Sequence, residues 1–175
     1  MQSRVVEGLL RERTPAAQLA AVMRQEKEMN YRAYFGIKFY EDSRNRDEIN
    51  SISVVLQDDG IQTVCIARDV EKWGEVTLSS QELMRITFEE IDKSDFVILE
   101  MSEKGVGLGI EAGYAVARKK PLIVLIKQGL ELSNTMQGIA DIVIQYSQPE
   151  EINISAHNHS LERIGDAARF GGKVG

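Results

Sequence analysis

A chain of 175 residues is long enough for one domain with a full core, and its 43% hydrophobic and 27% charged residues are those of an ordinary globular fold. A net charge of -6 argues against a general binder of nucleic-acid polymers, and no apolar run reaches the length of a membrane span. A single cysteine, Cys65, excludes an intrachain disulfide and with the lack of a signal-like N-terminus points to the cytoplasm, while His157 and His159, the only histidines, lie too late in the chain to give core histidine catalysis or a zinc site.

Residues 3–29 read as helix, broken at Thr14-Pro15, where Thr14 can cap and Pro15 suits a first helical position. Ala17, Leu19, Ala20, Val22 and Met23 form an apolar stripe, so residues 1–30 are expected to be a helical extension that packs on the domain or joins subunits. Residues 31–147 then alternate strands with helices. Tyr31 to Phe39 is a strand, and Arg46 to Gln57 is a helix ending near Asp59-Gly60. Ile61 to Ala67 is a strand, followed by a loop over 68–78. Ser79 with Glu82 forms a capping-box pattern that opens a helix to about Lys93. Asp95 to Glu100 is a strand, Ala112 to Lys120 a helix, Leu122 to Ile126 a strand, Ser133 to Gly138 a short helical turn, and Ile142 to Tyr146 a last strand. The tail, 148–175, includes a short helix from Leu161 to Phe170 and a glycine-rich end. This alternation predicts an α/β fold, a doubly wound five-stranded parallel sheet of the flavodoxin-like or Rossmann-like kind. Ligands of such sheets bind beyond the carboxyl ends of the strands, so the loops 36–45, 68–78 and 102–110 are expected to meet there, with the turn near Ser133 a fourth candidate.

One stretch carries the chemistry: Gly105-Val-Gly-Leu-Gly-Ile-Glu111-Ala-Gly-Tyr-Ala, between an apolar strand and a helix. Gly105, Gly107 and Gly109 let backbone approach a ligand, and Glu111 is expected in the first turn of the helix, ionised and favoured by the dipole. A dinucleotide fingerprint fits poorly, because the spacing is not G-x-G-x-x-G and the acid lies within the loop–helix junction. A carboxylate that acts at a sugar and a tight turn whose Glu decorates the helix both remain open at this point.

The run Asp95-Phe-Val-Ile-Leu-Glu-Met, the segment Gly105 to Ala115 and Lys119-Lys-Pro-Leu-Ile-Val-Leu together resemble the signature of the nucleoside 2-deoxyribosyltransferase superfamily. Leu132-Ser-Asn-Thr-Met-Gln-Gly138 is similar to a segment of its 2'-deoxynucleoside 5'-phosphate N-hydrolase branch. The resemblance runs from about residue 31 to 147. It implies that Glu111 is a nucleophile at the anomeric carbon and that a glycosyl-enzyme ester forms. Water or a second base then resolves that ester. It also implies that Ser133, with Asn134 beside it, binds substrate phosphate across a homodimer interface, and that neither metal nor organic cofactor is needed. The substrate would be a small nucleotide or nucleoside.

Where the family carries an Asp on the helix before the strand, this chain has Thr87, which faces inward with Leu83 and Ile91. Threonine can hydrogen-bond a base but is no acid near neutral pH; Asp92 or Glu90, one turn along, is the candidate stand-in, and a solvated helix face is the more ordinary reading of both. Weakened catalysis, leaving a nucleotide sensor, is the rival reading. Tyr34 and Gly36 match the first strand's approach to the substrate. Lys38, Arg44 and Arg46 are candidate phosphate contacts, although basic residues at a surface are ordinary. Asp69 matches an acid near the sugar or simply caps a loop. Trp73 either stacks on a base or anchors its loop.

Overall fold

The structure is a computed structural model that describes residues 31–157. The expected helices over 3–29 and 161–170 and His159 lie outside the described residues. Five parallel strands are ordered β2-β1-β3-β4-β5: β1 Tyr31–Ile37, β2 Ile61–Val64, β3 Phe96–Glu100, β4 Leu122–Lys127 and β5 Ile142–Tyr146. Buried on both faces, the central strands are continuous apolar runs, which is why they read so plainly as strands. β1 pairs with both β2 and β3, for example Tyr31 with Ile61 and Gly36 with Leu99. The chain therefore reverses its winding direction at β1, and the carboxyl ends of β1 and β3 are where sheets of this order hold their ligands.

Strand alternation sorts the side chains into two cores. Ala33, Phe35, Phe96, Ile98, Ile123 and Leu125 face helix α1, Arg46–Asp58, which contributes Ile49, Ile52 and Leu56. Tyr34, Val97, Leu99, Leu122 and Val124 face the other way, toward α2, Ser80–Lys93, and α3, Val106–Ala117. Helix α1 ends at Gly60, whose φ of 82° is the left-handed turn that sends the chain into β2. The expected capping box at the head of α2 is present: Ser79 Oγ accepts from the Glu82 amide and the Glu82 side chain accepts from the Ser79 amide. A single turn, α4, spans Asn134–Gln137. The first core continues past β5, because Ile152 and Ile154 pack into it and the Ser155 amide donates to Asp59 Oδ2 at 2.7 Å.

Two stretches differ from the sequence reading. Strand β2 stops at Val64, and Ile66–Val70 forms a turn of π-helix before a short 3-10 turn at Lys72–Gly74. More important, α3 begins at Val106, six residues before the expected start. The glycine loop shrinks to 101–105, and Gly107 and Gly109 sit in the first turn of the helix. Glycine is a poor helix former, so propensity hides this start. The burial of Leu108, Ala112 and Ala115 against the sheet overrides it.

Candidate active site

Glu111 lies in the second turn of α3, on the side of the helix that meets β1. The fit is tight. A Cβ placed on Gly36 would stand 2.4 Å from Glu111 Oε2 and 2.5 Å from Leu99 Cδ2, so no residue but glycine leaves the carboxylate its seat. Oε2 is buried and accepts no hydrogen bond among the described residues. Tyr34, from the same face of β1, puts its phenol beside the carboxyl, and the hydroxyl of buried Thr87 on α2 lies next to that phenol. The structure thus brings together Glu111 of α3, Gly36 and Tyr34 of β1 and Thr87 of α2, three elements that meet on one face of the sheet.

Burial pushes the Glu111 carboxyl up to about 7, and the Tyr34 phenol, as a donor toward it, works in the opposite direction. The expectation of a first-turn, dipole-favoured acid is corrected here, and ionisation is shifted toward neutral pH. The longer α3 carries Glu111 beyond the first turn, where the dipole's influence fades, and no cation is among the groups that act on it. Tyr34 is itself raised well above the ordinary tyrosine range, by burial first and then by the Glu111 charge.

Gly107 also borders the carboxyl, since a Cβ placed on it would stand 3.9 Å from Glu111 Oε1, whereas the other acids are engaged by partners of their own. Asp92, the expected stand-in for the missing acid, is engaged by other partners. Its carboxylate accepts from Arg118 Nε at 2.7 Å and from the Tyr114 hydroxyl at 3.0 Å, and Arg118 holds it below the usual carboxylate range. Glu90 is taken up by Arg32 and Lys93. Asp69 is also engaged: Arg68 Nε and Nη2 grip its two oxygens at 2.8 and 2.7 Å, and the Cys65 amide donates to it at 2.9 Å. Burial alone would raise Asp69, but that guanidinium bracket holds it low. With Ser53, Asn50 and Thr63 it lines a groove of about 480 Å³ between α1 and the β2 edge, a lining that does not include Glu111.

Lys38 Nζ stands 3.7 Å from Glu103 Oε2, which joins the first loop to the glycine loop. Arg44 lies over the Tyr40 ring and Arg46 over the Trp73 ring. Trp73 also packs on Phe39 and holds a φ of 61°, a strained conformation for a bulky residue, so its loop is anchored to the body by that ring. These contacts bring the loops after β1, β2 and β3 to one end of the sheet, as expected. Gly105 is the N-cap of α3, while Gly107 and Gly109 are exposed on its first turn. Ser133 caps α4 by accepting from the Met136 amide at 3.3 Å, and Asn134 lines a groove of about 650 Å³ along β5 with Leu130, Leu132 and Val143. Glu111 does not line that groove.

Sequence reasoning passed over one buried acid. Glu100 ends β3 and points to the α1 side of the sheet, opposite Glu111. Its signal was an acid closing an otherwise apolar strand.

Fold comparison sets this arrangement among known proteins. A 2-deoxyribosyltransferase from Bacillus psychrosaccharolyticus superposes with a TM-score of 0.56 at 16% identity, over 71% of this chain and 94% of that one. The CMP N-glycosidase BcmB of Clostridium botulinum gives 0.50 at 18% identity, over 69% and 92%. This chain shares their fold. A conserved protein from Enterococcus faecalis is similar as well, with a TM-score of 0.53 at 14% identity over 77% and 97%. No protein-family model matches the sequence, and no curated protein does.

Proposed function

We propose that the protein is an enzyme of N-glycosidic bonds that cleaves a 2'-deoxynucleoside 5'-monophosphate, with Glu111 as nucleophile. The observation that carries the reading is a carboxylate oxygen, Glu111 Oε2, buried against Gly36 with no hydrogen-bond donor and no cation among the described residues, at the carboxyl end of β1 and β3. Such a group is poorly stabilised while the site is empty. A sugar developing positive charge at its anomeric carbon supplies the missing counter-charge, so the interaction strengthens toward the transition state. Attack by Glu111 breaks the bond between sugar carbon and base nitrogen and forms a glycosyl ester, the leaving base takes up a proton, and water then cleaves the ester to a sugar phosphate. Tyr34 orients the carboxylate, and Thr87 orients Tyr34. Lys38 is the residue proposed to meet the 5'-phosphate, exchanging Glu103 for it. Fold similarity to proteins named as a CMP N-glycosidase and a 2-deoxyribosyltransferase supports chemistry at this bond and leaves base exchange as the alternative outcome.

The working form is proposed to be a homodimer. Helix α3 turns Val106, Ile110 and Val116 outward, 84%, 46% and 43% exposed, with Gly109 and Gly113 between them, an uncharged face suited to a second copy and to delivery of Ser133 across the interface.

The test is incubation with matched ribo- and deoxyribonucleotides and nucleosides, with and without a second free base, and separation of the products. Release of free base from deoxynucleoside monophosphates supports the hydrolase, and a new nucleoside supports the transferase. Tight binding with no base released over long incubation favours the second reading, a nucleotide sensor, for which Thr87 in place of an acid is the motive.

The pH dependence follows from the Glu111 proton. Attack requires the carboxylate, so kcat/KM is expected to rise with pH through about 7 and to level above it. Stability runs the other way. The folded-state pKa of about 7 lies above the ordinary 4.5, so between those values the folded protein binds the extra proton. The contribution of Glu111 to stability therefore falls as pH rises through that window and is flat outside it. Thermal unfolding of wild type and Glu111→Gln against pH checks this: the difference between them should change across the window and nowhere else.

A further inference from the structure

Glu100 is 3% exposed, and its position calls for an explanation. One of its oxygens, Oε1, accepts from three donors: the Ser102 amide at 3.2 Å, the Ser102 hydroxyl, and the Tyr146 hydroxyl at 3.1 Å. Ser102 Oγ in turn accepts from the Lys127 amide at 2.8 Å, and the Met101 amide donates to Leu125 O at 2.8 Å. The ends of β3, β4 and β5 and the start of the glycine loop are therefore tied at one carboxylate oxygen. Burial raises the Glu100 carboxyl, and Glu48 across the α1 side adds to that, while Ser102 and Tyr146 offset part of it. A leucine of similar volume would fill the space but leave the Ser102 and Tyr146 hydroxyls without their acceptor, so it is the bonds of Glu100 rather than its volume that the strand ends share.

What that geometry controls is the entry to α3. Helix α3 has no side-chain N-cap, its N-cap residue is Gly105, and Gly107 and Gly109 occupy its first turn. Its first backbone bond, Gly109 amide to Gly105 O, is long at 3.3 Å. Among the described residues Ser102 is thus the last one whose side chain is hydrogen-bonded before the helix that carries Glu111, and Glu103 beyond it makes only the 3.7 Å ion pair with Lys38. Glu111 in turn has no slack against Gly36, so a small rotation of α3 displaces it.

We infer that Glu100 is a positioning residue: through Ser102 it sets where α3 begins and so holds Glu111 in register with Gly36. The inference rests on Glu111 being the reacting acid, but its test includes a readout that does not. In the full-length chain, Glu100→Leu is compared with Glu100→Gln, whose side-chain carbonyl still accepts the same donors. Amide hydrogen exchange is followed by mass spectrometry over 102–111 and over β1 and β4, alongside kcat and KM for base release. Glu100→Leu should exchange at least about tenfold faster over 102–111 with β1 and residues 122–126 of β4 unchanged, and should lose about tenfold in kcat with KM within about twofold, as a misplaced catalytic group implies. Glu100→Gln should restore both to within about threefold of wild type. Should Glu100→Leu fail to fold, Ser102→Ala is expected to give the same loop-specific exchange. Faster exchange spread evenly over the sheet, unchanged exchange over 102–111, or failure of Gln to rescue overturns the inference. If the wild type releases no base, the exchange result still decides the role of Glu100, and the enzymatic reading fails separately.

Discussion

Glu111→Gln should leave a folded protein that releases base at least about 10³-fold more slowly than wild type, and Glu111→Ala should do the same. Glutamine keeps the shape against Gly36 and Leu99 but offers a neutral amide where the ester must form. It also removes the need to bury a carboxylate whose Oε2 lacks a donor, so unfolding near neutral pH should come at the same temperature or higher. Loss of turnover without loss of stability separates a chemical role from a packing role. Equal turnover in Gln and wild type removes Glu111 from the reaction.

Gly36→Ala is the second large effect. The new methyl would meet Glu111 Oε2 at 2.4 Å and Leu99 Cδ2 at 2.5 Å, and both lie inside any permitted carbon contact. The carboxylate end of Glu111 is the more movable of the two, whereas Leu99 is fully buried between β1 and β4. The displaced carboxylate should lose about 100-fold in kcat, by the usual sensitivity to a misplacement near 1 Å. Overpacking beside Leu99 should destabilise the fold by about 1–3 kcal/mol, read by denaturant unfolding. Activity retained with Ala at 36 would show that the tight seat of Glu111 has no bearing on chemistry.

The fold was legible because a parallel sheet buries both faces of its strands: Phe96–Leu99 and Leu122–Ile126 are unbroken apolar runs that a helix face would not need. The capping box at Ser79 was legible for the opposite reason, since it is a local bond between residues three apart. The start of α3 was not. Its glycines argue locally for a loop, and only the packing of Leu108 and Ala112 beneath them makes a helix. Glu111 was found through its motif, but its proton was not. Its pKa depends on burial against the sheet and on Tyr34, which lies on a distant strand and comes beside it only in the fold. Asp69 and Asp92 illustrate the limit from the other side. Each was a fair candidate by position, and each is held by an arginine, Arg68 or Arg118, whose reach no spacing rule reveals.

The central claim is that Glu111 becomes covalently attached to a pentose during turnover. The most direct measurement is acid quenching of the wild-type protein during turnover of a deoxynucleoside monophosphate, followed by intact-mass and peptide mass spectrometry. The account predicts a pentose-phosphate ester confined to the peptide that contains Glu111, removed on standing in water and absent from Glu111→Gln. Free base released steadily with Glu111 unmodified at every quench time, and released as fast by Glu111→Gln, would contradict it.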